Sequence, residues 1–341
     1  MRILMYEFVS GGGFAGRAVP ASLAREGAAM RDAVVADLAS LRGHRVVTTA
    51  DPRFPLRRVP ARVEVVTLRR GGVRGPDEVL ASADAAWPVA PESEGCLERL
   101  AARAERRGKV LLGPNAAAIR RAADKAGLPR RLARHGVPHP ATRIIASNGE
   151  AATVAREIGF PVVVKPARGA GCCGVSLVRS ARELPDALDA ARQADGSGPL
   201  LLQRYIRGVA ASVSLLADGR RALALSVNAQ SVRASRAFVY RGGTTPFDHP
   251  LAARAAAVAR RACEALPGLK GYVGVDMVLT DSEAVVIEVN PRLTTAYLGI
   301  RSAFDANVAG LALAACAGRL QAPPPARRRV SFTAAGRVVS A

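Results

Sequence analysis

Three oxygen-bearing side chains near the C-terminal end of the chain have the types and spacing of a metal site. Asp276 lies in the run Gly-Val-Asp-Met (274–277), and Glu288 and Asn290 lie in Val-Ile-Glu-Val-Asn-Pro-Arg (286–292). Alternate residues of a β-strand point to the same face, so Glu288 and Asn290 would lie side by side. Hard cations prefer oxygen ligands and share them with nucleotide phosphates. The pattern predicts that these three residues bind Mg²⁺, or Mn²⁺ in its place, on a β-hairpin.

The register of this hairpin decides whether the three side chains form one patch. In one register, Thr280 pairs with Ala284 across a three-residue loop. Asp276 then lies opposite Glu288, and Ile287 faces the core. A two-residue loop would pair Asp276 with Ile287 instead and separate the ligands. The register is therefore a direct test of the site; the alternative is a half-exposed hairpin whose polar residues simply face solvent.

A lysine and a glycine-rich stretch in the middle of the chain predict a site for phosphate groups. Residues 160–166 have the apolar character of a buried strand and carry Lys165 near their end, and Gly169, Gly171 and Gly174 follow. Glycines let the backbone N–H groups approach phosphate oxygens closely. The stretch lacks the G-x-x-x-x-G-K-[ST] order of a Walker loop. A surface turn that is merely rich in glycine is the alternative.

The next apolar strand, predicted at residues 200–206, contains Gln203, Tyr205 and Ile206. Edge backbone groups at such a place can hydrogen-bond an adenine while apolar neighbours sandwich its ring. Taken alone, the segment is only a strand. Its position after the lysine and the glycine stretch favours a nucleotide pocket.

A second glycine motif lies near the N-terminus, directly after a predicted strand. Gly11, Gly13 and Gly16 satisfy the G-x-G-x-x-G pattern of dinucleotide-binding folds. The acid that holds the ribose should follow about 20 residues later, whereas the candidate, Asp51, lies much farther along the chain. A nicotinamide-dependent oxidoreductase is therefore the weaker alternative, and a substrate is the expected ligand here.

Composition limits the remaining function classes. The net charge of +21 raises nucleic acid as a partner, but only four of the 49 basic residues are Lys and the Arg residues are scattered. Short basic clusters without interleaved aromatics do not predict nucleic-acid binding. Five Cys without a C-x-x-C pair predict reduced thiols. The chain has no apolar run of about 18 residues and no secretory signal, so we expect a cytoplasmic protein that does not bind membranes.

The elements that position these motifs follow an α/β order. Residues 1–113 alternate apolar strands with helices, which predicts a small parallel sheet. Residues 114–322 mix helices with longer strands and include a hairpin at 272–290. Residues 323–341 form a Pro- and Arg-rich C-terminal tail with room for one short strand.

The order of these motifs resembles the ATP-grasp superfamily over residues 113–320. Asp124-Lys125, ahead of residues 132–140, is similar to the family's opening helix, whose Lys reaches the nucleotide. The resemblance implies an α/β protein with an ATP-grasp fold, in which two α+β lobes grip ATP, preceded by a Rossmann-like pre-ATP-grasp domain. It also implies a mobile lid lobe at about 142–206.

The same resemblance implies ATP and a divalent metal ion as cofactors and gives roles to particular residues. Asp276, Glu288 and Asn290 would hold the metal. Arg292 and Lys165 would be catalytic, with Arg292 neutralising an acyl phosphate as it forms. The expected ATP contacts are Lys125, Lys165, Gly169, Gly171, Gly174, Gln203, Tyr205 and Ile206. Residues 209–212 depart from the family because they offer no acid for the ribose.

Within the superfamily, residues 6–13 and 290–297 resemble the branch of tyramine–glutamate ligases of methanofuran-type cofactor biosynthesis. This implies an amide bond between a carboxylate such as glutamate and an amine such as tyramine, formed through an acyl phosphate. The substrate contacts are then expected at Glu7, Gly12, Gly13, Asn228, Gln230, Thr294 and Thr295. Other substrates for an ATP-grasp ligase, and a homo-oligomeric state, are open alternatives.

Overall fold

The computed structural model describes residues 1–69, 75–169, 172–195 and 198–340. Gly171, predicted in the phosphate site, lies outside the described residues. Three sheets of five, four and seven strands organise the chain. None of the helices in the described ranges combines the length and hydropathy needed to cross a membrane.

The N-terminal domain is built on five parallel strands. They are β1 (Arg2–Glu7), β2 (Arg45–Ala50), β3 (Val63–Thr67), β4 (Ala85–Val89) and β5 (Val110–Leu111), and the helices are α1 (Ala21–Ser40), α2 (Pro76–Ala81) and α3 (Cys96–Arg106). The strand order is β3-β2-β1-β4-β5. Ile3 packs on the side of α1 and Leu4 on the side of α2, so both faces of the sheet are covered. The predicted Rossmann-like domain is confirmed.

The lid lobe is a small antiparallel sheet covered by two helices. Its elements are β6 (Thr142–Ile145), α6 (Asn148–Ile158), β7 (Val162–Pro166), β8 (Ser176–Val178), α7 (Leu184–Asp195) and β9 (Leu200–Arg204). The order β6-β9-β7-β8 places β7 and β9 in the centre. Val162, Val164 and Leu202 on these two strands pack on Leu188 of α7, so the lobe has a core of its own.

The central sheet of seven strands carries the hairpin. Its strands are β10 (Val209–Asp218), β11 (Ala222–Ala234), β12 (Phe238–Thr245), β13 (Lys270–Leu279), β14 (Ala284–Asn290), β15 (Val330–Thr333) and β16 (Val338–Ser340). The helices around it are α4 (Ala116–Ala123), α5 (Leu128–Arg134), α8 (Ala252–Glu264), α9 (Ala296–Ala303) and α10 (Val308–Cys316). One face packs on α8 through Val213 and Ala259, and the other shares a core with α1 through Leu216 and Tyr272.

The segment predicted as a separate tail belongs to this central sheet. β15 pairs with β12, and β16 pairs with β15. Val330 and Phe332 are buried, with Phe332 packed in the core shared with the N-terminal domain. The Pro- and Arg-rich composition of residues 323–329 hid this pairing, because the alternation that marks a strand is only a few residues long. The predicted division at residue 323 was therefore wrong.

Candidate active site

The β13–β14 hairpin has the tighter of the two possible turns. The Thr280 N–H donates to the Glu283 carbonyl at 2.9 Å, and Leu279 pairs with Ala284. The loop therefore contains two residues, the second of the two alternatives that the sequence left open. Continued without interruption, this register would have separated the expected metal ligands.

A β-bulge restores the pairing that the metal site requires. The register shifts next to Asp276, so that Asp276 lies opposite Glu288 as predicted. The extra residue is Ile287, which is half-buried, whereas Val286 and Val289 belong to the core. The expectation that Ile287 faces the core was wrong, because a bulged residue loses its place in the strand alternation.

Asp276 lies at the centre of a buried polar patch. Its two carboxylate oxygens accept hydrogen bonds from Gln230 Nε2 at 2.8 Å and from Asn290 Nδ2 at 2.9 Å. Burial, and then the neighbouring Glu288 carboxylate, raise the pKa of Asp276 to about 6. The described residues hold no cluster of three or more His, Cys, Asp or Glu suited to a metal. A cation here would have two carboxylates and the amide oxygen of Asn290 as donors.

Lys125 approaches this patch from the short segment between α4 and α5. Its Nζ lies 3.0 Å from Glu288 Oε1, and its side chain is only 11% exposed. Burial opposes the charge of Lys125, but Glu288 raises its pKa. In the same way, burial opposes the charge of Glu288, but Lys125 and then Lys165 lower its pKa. The pair is therefore an ion pair.

Lys165 reaches the site from β7 and has no carboxylate of the described residues within hydrogen-bonding distance. Its Nζ donates to Gln203 Oε1 at 3.0 Å, and Gln203 Nε2 donates to Thr142 Oγ1 at 2.9 Å. Burial, and then the nearby Lys125, lower the pKa of Lys165 to about 8. Two buried lysines thus lie near one another, and an anion between them would stabilise both charges.

The side chain of Gln203 makes contacts other than the adenine contact predicted for it. Its side chain is buried and bridges Lys165 and Thr142, so it positions the lysine within the lid sheet. Tyr205 and Ile206 follow β9 and are half-buried. The Tyr205 N–H donates to a carbonyl of residue 161 at 3.2 Å, which leaves its ring and Ile206 for the predicted contact with a base.

The glycine-rich loop connects β7 to β8 on the same side as the lysines. Gly174 has φ +68°, and a Cβ there would lie 2.6 Å from Ala194 Cβ, so only glycine fits. Gly169 is half-buried near the end of β7. Burial, and then Asp276 and Glu288, raise the pKa of the Cys172 thiol to about 11. The loop therefore lies near the carboxylates of the hairpin, as a phosphate-covering loop would.

Arg292 forms an ion pair with a residue of the N-terminal domain that sequence reasoning missed. Its Nε donates to Glu92 Oε1 at 2.9 Å. The Glu92 side chain is 5% exposed, and its other oxygen, Oε2, is buried without a hydrogen-bond partner among the described residues. Glu92 lies just after β4, at the carboxyl edge of a parallel sheet, where ligands of such folds bind. The position of Glu92 just after a predicted strand was the feature of the sequence that could have identified it.

The two threonines after Arg292 have different surroundings. Thr294 is half-buried, and its hydroxyl lies 3.3 Å from the Tyr272 hydroxyl. Thr295 is buried, and its hydroxyl donates to Glu26 Oε1 of α1. Tyr240 also hydrogen-bonds Thr295 through its side chain. Thr295 therefore links the N-terminal domain to the sheet beside the hairpin.

Asn228 lies on β11, in the same row across the sheet as Asp276 and two strands away from it. It is fully buried, and its Nδ2 lies 3.2 Å from Ser212 Oγ and 3.1 Å from Ser214 Oγ. Its Oδ1 has no hydrogen-bond partner among the described residues. Ser212 pairs with both Asn228 and Asp276, so these residues lie across adjacent strands. Asn228 supports the floor of the site.

The N-terminal glycine loop holds its own acid instead of presenting it to a ligand. Glu7 is 2% exposed and accepts from the Val9 N–H at 3.0 Å and from the Ser10 N–H and hydroxyl at 2.6 Å. Burial raises its pKa. Gly12 has φ +98°, and a Cβ on Gly13 would lie 2.5 Å from the ring of residue 8. These contacts explain the three predicted substrate residues, Glu7, Gly12 and Gly13, as residues that shape the loop.

The same loop disfavours dinucleotide binding. Residues 9–13 form a short π-helical turn, and α1 begins only at Ala21. A dinucleotide fingerprint requires the glycines to open the helix that receives the pyrophosphate. The geometry therefore lacks the helix N-terminus on which that interaction depends.

The chain matches two known domain families. Residues 122–296 match the ATP-grasp domain, and residues 44–119 match the pre ATP-grasp 3 domain. A structure of a protein from Archaeoglobus fulgidus, ascribed to the ATP-grasp superfamily, is similar with a TM-score of 0.71 and 26% identity, covering 98% of this chain and 92% of that one.

Two curated relatives are similar over part of their length. The uncharacterized protein y4rH of Sinorhizobium fredii is 33% identical over 54% of this chain and 39% of its own length. The carbamoyl phosphate synthase large chain of Thermus thermophilus is 29% identical over 65% of this chain. The aligned region spans only 22% of that synthase chain.

Proposed function

The chain belongs to the ATP-grasp family, and from this membership together with the site geometry we propose that it is an ATP-dependent carboxylate–amine ligase. In this reaction a carboxylate is phosphorylated by ATP, and an amine then displaces phosphate to leave an amide. The observation that carries the proposal is a largely enclosed site in which Lys125 pairs with Glu288, next to Asp276, and the buried Lys165 lies near both Lys125 and Glu288.

The residues of the site fit ATP with a divalent metal ion. Lys165 is a buried cation bonded only to an amide, and its depressed pKa marks a charge that an anion such as a phosphate would stabilise. Asp276 is a buried carboxylate beside a second one, and its raised pKa marks a charge that a cation would stabilise. Asp276, Glu288 and, after rotation of its amide, Asn290 would hold Mg²⁺, which draws charge from the phosphates.

The side chains of this chain supply most of the remaining chemistry by position and charge. Lys125 and Lys165 hold the nucleotide phosphates, and Gly169 and Gly174 let the loop backbone approach them. Tyr205 and Ile206 contact the adenine. Catalysis of phosphoryl transfer depends mainly on such positioning and charge stabilisation.

Arg292 and the lid complete the site. In the structure Arg292 is paired with Glu92, and it lies close enough to Glu288 to interact with that carboxylate electrostatically. In the reaction Arg292 turns to stabilise the acyl phosphate. The lid lobe, about residues 142–206, closes over ATP and keeps water from this reactive species. Its β8 contacts the tip of the β11–β12 hairpin through the Leu177 N–H and the Arg236 carbonyl at 3.0 Å, so both elements line the opening.

Glutamate and tyramine are the first substrates to test, on the basis of the sequence resemblance at residues 6–13 and 290–297. Gln230, Thr294 and Thr295 remain candidates for substrate contact because they surround Asp276 and Arg292. Other carboxylates and amines are the alternative. The related synthase chain belongs to carbamoyl phosphate synthase, which makes a broad panel of acids and nitrogen donors appropriate.

A phosphate-release screen tests the proposal. Pairs of carboxylates and amines are incubated with the protein, ATP and Mg²⁺, beginning with glutamate and tyramine. We expect phosphate release to require both partners. Glu288→Gln removes a metal ligand and should abolish turnover, while Glu283→Gln, a solvent-exposed acid on the same hairpin, should not. ADP release that is independent of any carboxylate and any amine would exclude the ligase function.

A further inference from the structure

Glu92 is a buried carboxylate with one oxygen left unused. Oε1 accepts from Arg292 Nε at 2.9 Å, whereas Oε2 is buried without a hydrogen-bond partner among the described residues. The side chain is 5% exposed. A buried acceptor without a donor costs free energy, so such an oxygen is typical of a position that a ligand completes.

Glu26 provides a second carboxylate within electrostatic range of Arg292. It extends from α1, is half-buried and accepts the hydroxyl of Thr295. Burial opposes the charge of Arg292, but Glu92 and then Glu26 raise its pKa. Both acids therefore lie close enough to Arg292 to influence its charge, and both come from the N-terminal domain.

Glu92 and Glu26 differ from the two acids of the hairpin in how their negative charges are balanced. In the proposed reaction, Asp276 and Glu288 are matched by the metal, and the two lysines are matched by the phosphates. When Arg292 turns to the acyl phosphate, Glu92 loses its ion-pair partner. Glu26 has no ion-pair partner among the described residues at any stage. The site then has two negative charges that require a cation.

We propose that Glu92, through Oε2 and with Glu26 beside it, binds the acceptor substrate as an ammonium ion and takes its proton before the attack on the acyl phosphate. The acceptor is then a cationic primary amine that enters against the N-terminal domain. This inference rests on the proposed ligase function. An anionic acceptor such as bicarbonate or a phosphorylated compound would be repelled by the two carboxylates.

The chemical step is balanced without a further reagent. The ammonium group gives one proton to the Glu92 carboxylate and becomes a neutral amine. Its nitrogen lone pair attacks the carbonyl carbon of the acyl phosphate, the C–N bond forms, and the C–O bond to phosphate breaks. Phosphate leaves with that electron pair and receives the second nitrogen proton, which leaves the amide.

Hydroxylamine separates acyl-phosphate formation from use of the amine site. It is mostly neutral near neutral pH and captures acyl phosphates as hydroxamates, so it does not require an ammonium-binding carboxylate. Wild-type protein and Glu92→Gln are assayed with ATP, Mg²⁺ and glutamate, with either tyramine or hydroxylamine as nucleophile. Glu98→Gln is the control, because Glu98 is an acid of the same domain paired with Arg120 on the surface.

We expect Glu92→Gln to raise the KM for tyramine about 10- to 100-fold and to lower kcat with it, while hydroxamate formation is kept. Glu26→Gln should raise the same KM by a smaller factor, and it carries the test if Glu92→Gln does not fold. An unchanged tyramine KM in these variants, or an equal loss with both nucleophiles, would overturn the amine site alone. If the wild-type protein forms no hydroxamate with any carboxylate of the screen, the ligase function fails and the amine site with it.

Discussion

Lys165 and Glu7 are both buried charged residues beside a glycine-rich loop, but their surroundings are opposite. Three hydrogen bonds from the backbone and side chain of the following turn satisfy the Glu7 carboxylate. Among the residues that the structure describes, Lys165 donates to the amide oxygen of Gln203 alone. A charge that its own loop satisfies stabilises the loop, whereas a charge left without a counter-ion is available to a ligand. The glycines alone do not distinguish the two cases.

Lys165→Met gives the sharpest test of this comparison. Methionine keeps the apolar length of the side chain and removes the charge, so turnover should fall about 10³-fold because phosphate stabilisation is lost. The free energy of unfolding should change by only about 1 kcal/mol, since one hydrogen bond to Gln203 is lost. Phosphate release and thermal unfolding measure the two effects. Lys109→Met, at a half-buried lysine of the N-terminal domain whose Nζ donates to the Ala81 carbonyl, is the control; equal activity in both variants would contradict the assignment.

Glu7→Ala should produce the reverse pattern. The N–H groups of Val9 and Ser10 would lose their acceptor inside the protein, and the free energy of unfolding should fall by about 2–4 kcal/mol. Chemical denaturation measures this loss. The turnover of the folded fraction should stay close to that of the wild type. A large loss of turnover with unchanged stability would instead make Glu7 a substrate contact, as its place in the sequence first suggested.

The pH dependence of ATP affinity is the smallest expected effect. Burial, and then Lys125, lower the pKa of Lys165 to about 8, so the free protein loses this charge above pH 8. Binding of ATP must then restore a proton, and the affinity should weaken about tenfold for each pH unit above 8. Below pH 8 the lysine is already charged and the dependence should vanish.

Titration calorimetry at several pH values checks this linkage. Lys125 keeps its charge in this range because Glu288 raises its pKa, and Asp276 titrates lower, near 6. Lys165→Arg retains a charge at all these pH values and should flatten the profile. A wild-type affinity that does not change between about pH 7 and 9 would show that Lys165 is already protonated before ATP binds.

Local patterns predicted on which strands several residues of the proposed nucleotide site lie. Lys165 at the end of an apolar run lies on β7, and the alternation around Glu288 and Asn290 lies on β14. Such predictions succeed because strand geometry fixes which side chains share a face. The sequence left the loop length of the hairpin open, and Asp276 pairs with Glu288 in spite of the shorter loop, since a bulge at Ile287 compensates for it. No residue pattern in the hairpin predicted that bulge.

The sequence by itself determined the α/β class, the order of the motifs and the residue types proposed for the phosphate and metal sites, because these depend on contacts between near neighbours. Tertiary structure alone decided three other features. Glu92 meets Arg292 across 200 residues, Glu7 is enclosed by its own loop, and residues 330–340 complete the central sheet. The first and third depend on which distant segments pack together, and the burial of Glu7 depends on what that packing removes from water. None of these is encoded in local spacing.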